Sequence, residues 1–261
     1  VGAAMGISCL CRKRGKKANI VIDLENNAAG KLIEEIQAVP EYRDVFVSGQ
    51  DALLMADNRS ILVVVDTNRP SYTECPELLK KTKSIVVFDH HRQSSDVVES
   101  PILSYIEPYA SSTCEMIAEV LQYFTEKIKL EPSEADCIYA GILIDTNNFM
   151  TKTGVRTFEA AAYLRRCGAE VTRVRKMLRN DMGDYKARAD AVRHAEVYRE
   201  HFAISVCPAD NIESPTIVGA QAANELLNII GIKASFVLTQ YQNKIYVSSR
   251  SIDEINVQLI I

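Results

Sequence analysis

Two short runs of β-branched residues, each followed at once by an aspartate, constrain this chain more than any other feature. Residues 61–65 precede Asp66, and residues 85–88 precede Asp89. Both runs are continuously apolar, which is typical of strands covered on both faces of a parallel sheet. Helical patterns and further short strands precede them. The sequence therefore predicts an α/β fold built from βαβ units, with a doubly wound parallel sheet.

The pattern of elements divides the chain into three segments. Residues 1–183 are predicted to form the parallel-sheet domain, and the polar stretch 184–200 is predicted to be a helical connector. Residues 201–261 are predicted to form a second, smaller α/β domain. There is no initiator Met, and the chain both begins and ends inside an apolar pattern. We therefore expect a fragment that is truncated at both ends.

Composition excludes several classes of protein. The net charge of −4 argues against a protein held to long nucleic acid by bulk charge. The seven cysteines include no C-x-x-C pair, which disfavours a zinc knuckle and, without a secretory signal, favours the cytoplasm. No apolar run reaches the roughly 18–20 residues of a membrane span, so we expect no membrane contact from these residues.

The candidate chemistry lies where the apolar runs end. In an open parallel sheet, ligands bind beyond the carboxyl ends of the strands. Asp66 and Asp89 are predicted to lie there, the second followed by His90 and His91, and Asp145 ends a third apolar stretch. Each aspartate alone could simply cap a following turn or helix. Together with imidazole, these carboxylates suit Mn²⁺, Fe²⁺, Co²⁺ or Zn²⁺ better than Ca²⁺.

The motifs resemble those of a known family. Phe88-Asp89-His90-His91 is the signature of the DHH phosphoesterases, Val65-Asp66-Thr67 resembles their second motif, and residues 141–146 resemble their fourth. The text around these motifs is similar to the cyclic-di-AMP phosphodiesterases of the GdpP type. Residues 110–113 and 153–161 resemble that branch, as do residues 249–257, which match its DHH-associated C-terminal domain.

The resemblance implies a role for each residue of the motifs. It implies two divalent metal ions, with Mn²⁺ expected, bridged by Asp66 and ligated further by His90 and Asp145. Asp89 would support the neighbouring histidines, and His91 would face the substrate phosphate, so these two are the expected catalytic residues. The structural alternative for Asp89 and His91 is a plain hydrogen-bonded pair.

The resemblance also implies a function with two rivals. We expect a metal-dependent phosphodiesterase that opens cyclic-di-AMP, a cyclic dinucleotide, to a linear dinucleotide. The alternatives are a short-oligonucleotide hydrolase and a catalytically silent nucleotide-sensing module. A homodimer is left open. The family's first metal motif and a C-terminal glycine-rich loop are absent from this sequence, so the chain alone is expected to be nearly inactive, and its parent to carry a membrane anchor.

Arg250 is the predicted substrate-binding residue of the second domain. A guanidinium can pair bidentately with phosphate, and a strand end would place it at the ligand. The capping-box spacing of Ser251 and Glu254 favours an ordered backbone there. The alternative is a surface arginine near a helix start.

Overall fold

The chain divides into two units, which are described separately. The computed structural model describes residues 1–23, 29–93, 95–124, 129–179, 181–210, 212, 214–252 and 255–260. Its internal contacts separate Val1–Leu178 from Arg179–Ile261. The predicted boundary at residue 183 therefore falls inside the second unit.

The first unit alternates helices with short strands and then becomes helical. Its elements are α1 (Gly2–Lys13), β1 (Ile20–Val21), α2 (Gly30–Gln37), β2 (Phe46–Val47), α3 (Gly49–Met55), β3 (Ile61–Val65), β4 (Ser84–Asp89), β5 (Leu103–Ile106), α4 (Thr113–Phe124), α5 (Pro132–Asp145), α6 (Val155–Arg166) and α7 (Val171–Met177).

The two apolar runs form neighbouring parallel strands, as predicted. The sheet order is β3-β4-β5, and Val65 pairs with Phe88 in the β3–β4 register. Strands β1 and β2 form a separate parallel pair. The α/β class is confirmed, and the described parallel strands of the first unit lie in two sheets. Because β3 and β4 are parallel and in register, Asp66 and Asp89 lie at the same edge.

A core of packed helices holds the C-terminal end of α5 in place. Helices α1, α4, α5 and α6 bury Ile117, Ile138, Ile142 and Leu164, all fully excluded from solvent. Each such side chain stabilises the fold by roughly 1.5–3 kcal/mol. Helix α5 approaches α4 closely at Gly141, where a Cβ atom would collide with the sulfur of Cys114. This packing fixes the C-terminal end of α5.

The second unit is a four-stranded mixed sheet with two helices. Its elements are α8 (Met182–Arg193), β6 (Glu196–Tyr198), β7 (Phe202–Cys207), α9 (Pro215–Leu226), β8 (Ala234–Tyr241) and β9 (Lys244–Ser251). The strand order is β6-β7-β8-β9, and only the β7–β8 pair is parallel among these described strands. Its core includes Ala191 of α8, Leu226 of α9 and Val237 of β8.

The prediction of a helical connector over 184–200 is wrong in its second half. Helix α8 belongs to the second unit, and residues 196–198 form the edge strand β6, antiparallel to β7. Val197 and Tyr198 favour a strand. Arg199 and Glu200 have positive φ angles of 47° and 64°, which end the strand in a turn that no α-helix could contain.

The C-terminal end also differs from the prediction. In place of a final helix the described residues contain only a 3₁₀ turn, Val257–Leu259. The capping box predicted at Ser251 includes residues 253 and 254, which lie outside the described residues. Across the part of the chain that the structure describes, no helix combines the length and apolarity needed to span a bilayer.

Candidate metal centre and active site

Asp66 follows β3 in a conformation that only a supporting structure allows. Its φ angle is +68°, in the left-handed region, where a non-glycine residue costs of order 1–3 kcal/mol. The Asp66 amide donates to the Phe88 carbonyl at 2.9 Å, so β4 holds this backbone in place. Strain retained at a strand end beside other polar residues is a feature of functional sites.

The three predicted metal ligands, Asp66, His90 and Asp145, lie close together. The Nε2 atom of His90 lies 3.6 Å from Asp66 Oδ1 and 3.9 Å from Asp145 Oδ2. Asp145 is the last residue of α5, so a helix end and a strand end supply the two carboxylates. One ligand atom each from Asp66, His90 and His91 also fit within 4.8 Å of one another. The sequence motifs, though far apart along the chain, therefore meet in space.

Burial and like charges shift the pKa values of two residues in this cluster. Burial, and then the nearby Asp66 carboxylate, raise the pKa of Asp145 to about 7. Burial, and then the neighbouring His91, lower the pKa of His90. Histidine ligates a metal through its neutral imidazole, and aspartate through its carboxylate. A cation between the two carboxylates would also relieve the repulsion between their negative charges.

The Ala110 backbone lies near the His90 ring. It opposes the effect of burial and raises the pKa of His90, as a carbonyl close to a ring N–H does. The Nε2 atom of the ring faces Asp66 and Asp145. Metal-ligating histidines commonly donate their second nitrogen to such a partner.

The turn that carries Ala110 is held by a buried glutamate. Glu115, in the first turn of α4, accepts hydrogen bonds from Ser111 Oγ at 2.5 Å and Thr157 Oγ1 at 2.6 Å. Ser112 Oγ in turn accepts from the Glu115 amide at 3.0 Å. The turn therefore has few alternative conformations.

Asp89 and His91 form a second group beside the first. Asp89 is fully buried, and its Oδ1 lies 2.7 Å from His91 Nδ1. Its other oxygen accepts from Asn68 Nδ2 at 2.6 Å. The His91 ring is more than half exposed. The buried carboxylate can therefore orient an accessible imidazole, and the catalytic roles of Asp89 and His91 stay predictions.

Sequence reasoning missed Asn68 and Ala110. Asn68 is a carboxamide two residues after a strand-end aspartate, and that position was the available signal. The Ala110 contribution is a backbone carbonyl, for which the residue type gives no signal.

The residues present fit a divalent metal ion. Carboxylate oxygens and a borderline imidazole nitrogen suit Mn²⁺, Fe²⁺, Co²⁺ or Zn²⁺. Asp66, His90 and Asp145 supply such donors close together, and their role as metal ligands stays a prediction.

Arg250 lies in the second unit, on β9. Its Nε donates to Asn224 Oδ1 at 2.9 Å and its Nη1 to the Ser249 carbonyl at 2.8 Å. The guanidinium is exposed but held, so its plane has a fixed orientation. Its role in substrate binding stays a prediction.

Comparison with known proteins identifies the class. Residues 1–142 match the DHH family, N-terminal domain, so the chain belongs to the DHH family. The matched region includes Asp66 and the Asp89–His91 motif and stops before Asp145.

Two relatives match the whole chain. It is 37% identical over 264 residues to the cyclic-di-AMP phosphodiesterase GdpP of Bacillus subtilis. It is 38% identical over 263 residues to the cyclic-di-AMP phosphodiesterase PdeA of Listeria monocytogenes. All of this chain is covered in both comparisons, but the chain spans only 40% of the length of each relative.

A solved structure supports the fold. An exopolyphosphatase-related protein from Bacteroides fragilis superimposes with a TM-score of 0.77 at 17% identity. The superposition covers 97% of this chain and 76% of that one.

Proposed function

We propose that this chain is the catalytic part of a metal-dependent phosphodiesterase that opens cyclic-di-AMP to a linear dinucleotide. The observation that carries the proposal is the convergence of Asp66, His90 and Asp145, with His90 Nε2 within 4 Å of both carboxylates. The substrate is inferred from the two relatives that match all of this chain, both of which are named for it. The family membership supports hydrolysis of a phosphoester.

Three residues of this cluster are proposed as metal ligands. We propose two divalent ions, Mn²⁺ by preference, which this chain would hold through Asp66 as the bridging ligand and through His90 and Asp145 as further ligands. When bound, such ions polarise a phosphoryl oxygen and activate the attacking water. The Asp66 carboxylate is half-exposed and therefore accessible to a metal ion, which suits a bridging role.

His91 is proposed to contact the substrate phosphate. Its Nδ1 is engaged by Asp89, so Nε2 remains for a phosphoryl oxygen, and the exposed ring can reach a ligand. Asp89 holds the ring in place from its buried position. No nucleophilic side chain is needed, since positioning and charge neutralisation account for most of phosphoryl-transfer catalysis.

Arg250 is proposed to bind a phosphate of the dinucleotide. Its hydrogen bonds to Asn224 and Ser249 support this role because a guanidinium already fixed in plane loses less entropy on binding. The net charge of −4 supports a small ligand over long nucleic acid.

The test is turnover by the intact protein. Cyclic-di-AMP and a set of short linear oligonucleotides are incubated with Mn²⁺ and the products separated by chromatography, with the Asp66→Asn variant as the matched control. We expect a linear dinucleotide from cyclic-di-AMP, and its loss in the variant. Faster turnover of linear oligonucleotides would favour the short-oligonucleotide hydrolase, and binding without turnover would favour the sensing module.

A further inference from the structure

Asn68 joins the two strand-end loops that carry the site. It follows Asp66 by two residues and is 3% exposed. Its Nδ2 donates to Asp89 Oδ2 at 2.6 Å and makes a longer contact of 3.4 Å with the His91 carbonyl. Its own carbonyl accepts from the Val98 amide at 3.0 Å, so its backbone is anchored. One side chain therefore spans from the loop after β3 to the loop after β4.

Asp89 depends on that side chain. Its Oδ1 is occupied by His91, through Nδ1 at 2.7 Å and the amide at 3.2 Å. Asn68 is the donor that the described residues supply to Oδ2. A fully buried carboxylate is stable only when its oxygens are hydrogen-bonded. Without the amide, Asp89 would have to rotate or move, and its contact with His91 Nδ1 would change with it.

The carboxamide of Asn68 carries a cost in stability at its oxygen end. Asn68 Oδ1 is buried, and within the described part of the chain it has no hydrogen-bond partner. A buried acceptor without a partner destabilises a fold by about 1–3 kcal/mol. An apolar side chain of similar volume would avoid this cost, so the position is occupied for its donor end.

We propose that Asn68 is a positioning residue that acts on His91 through Asp89. By bonding Asp89 Oδ2 it holds Oδ1 against His91 Nδ1, so that His91 Nε2 is the atom presented to the substrate phosphate. The catalytic part of this inference rests on the proposed function. The orientation of the ring does not depend on it and can be measured separately.

The first measurement is the orientation of the ring. In metal-free intact protein with ¹⁵N-labelled histidine, the His91 Nδ1–H should give a proton signal protected from solvent exchange. Asn68→Leu, similar in volume, should abolish that protection. Thr82→Val is the matched control, because it removes a buried hydrogen bond of 2.6 Å to the Ser60 carbonyl and touches neither loop. It should leave the His91 signal unchanged.

The second measurement is a double-mutant cycle on turnover of cyclic-di-AMP. Asn68→Leu should lower kcat by about 10- to 100-fold, the range for loss of an outer-shell partner. In a His91→Ala background the same change should have less than about a twofold effect, since the residue it positions is gone. A merely structural Asn68 would lower activity by the same factor in both backgrounds.

The outcomes separate the two proposals. A retained Nδ1–H signal in Asn68→Leu, or equal losses in both backgrounds, would overturn the positioning role. If the parent does not hydrolyse cyclic-di-AMP but Asn68→Leu still abolishes the signal, the proposed function fails and the positioning role stands. If Asn68→Leu does not fold, Asn68→Ala removes the same donor and serves in its place.

Discussion

Replacing Glu115 should destabilise the first unit far more than an ordinary substitution in a helix. Glu115→Ala removes the acceptor for the hydroxyls of Ser111 and Thr157, at 2.5 and 2.6 Å, and for the Ser111 amide at 3.4 Å. Each buried donor left without a partner costs about 1–3 kcal/mol. Since a hydroxyl can rotate to a poorer acceptor, we expect a total loss of about 3–5 kcal/mol in the free energy of unfolding.

The assay is urea unfolding followed by circular dichroism, with hydrogen exchange of α4 amides to assign the loss to the first unit. Glu115→Gln keeps an acceptor oxygen and should lose about 1–2 kcal/mol. The matched control is Glu119→Ala, one turn further along α4, which breaks a part-exposed ion pair with Arg156 and should cost less than about 1 kcal/mol. If Glu115→Ala were no more destabilising than Glu119→Ala, the buried network would not hold this turn.

Three further predictions concern ligands, substrate and thiols. Asp66→Asn and Asp145→Asn should each lower turnover of cyclic-di-AMP by about 100-fold or more, and metal content by elemental analysis should fall in parallel; an active variant with full metal content would contradict the ligand assignment. Arg250→Ala should raise KM by about 10- to 100-fold at nearly constant kcat, with partial recovery in Arg250→Lys; an unchanged KM in steady-state kinetics would show a surface arginine. Burial raises the pKa of Cys9 to about 11 and of Cys137 to about 12. At pH 8 about one Cys9 thiol in a thousand is therefore ionised, and a smaller fraction of Cys137 thiols. Mass spectrometry after iodoacetamide should therefore show both unmodified in folded protein and the reaction accelerating as pH rises; rapid labelling at pH 8 would contradict their burial.

The strand ends and the aspartates that follow them could be predicted because the signal is local. Continuous apolar runs end at Asp66 and Asp89, and a parallel sheet brings such ends to one edge whatever the connections between them. Helix α5 begins with proline at its first position, which is a local signal as well. The family motifs then supplied the link between Asp145 and the strand ends.

The supporting contacts could not be predicted because they depend on tertiary register. Asn68 reaches Asp89 across 21 residues, and Thr157 reaches Glu115 across 42. A one-residue shift in the β3–β4 pairing would break the first contact without changing the apolar pattern. The edge strand β6 was missed for a different reason, since three exposed residues are too few to show a periodicity that distinguishes a strand from a helix.

Anomalous diffraction from crystals of the intact protein grown with Mn²⁺ tests the proposed metal centre most directly. Data collected at the manganese absorption edge should show a strong peak within coordination distance of Asp66, His90 and Asp145, and the peak should weaken or vanish in Asp66→Asn. An empty map at these residues in protein that turns over cyclic-di-AMP would contradict the assignment of the metal to this cluster.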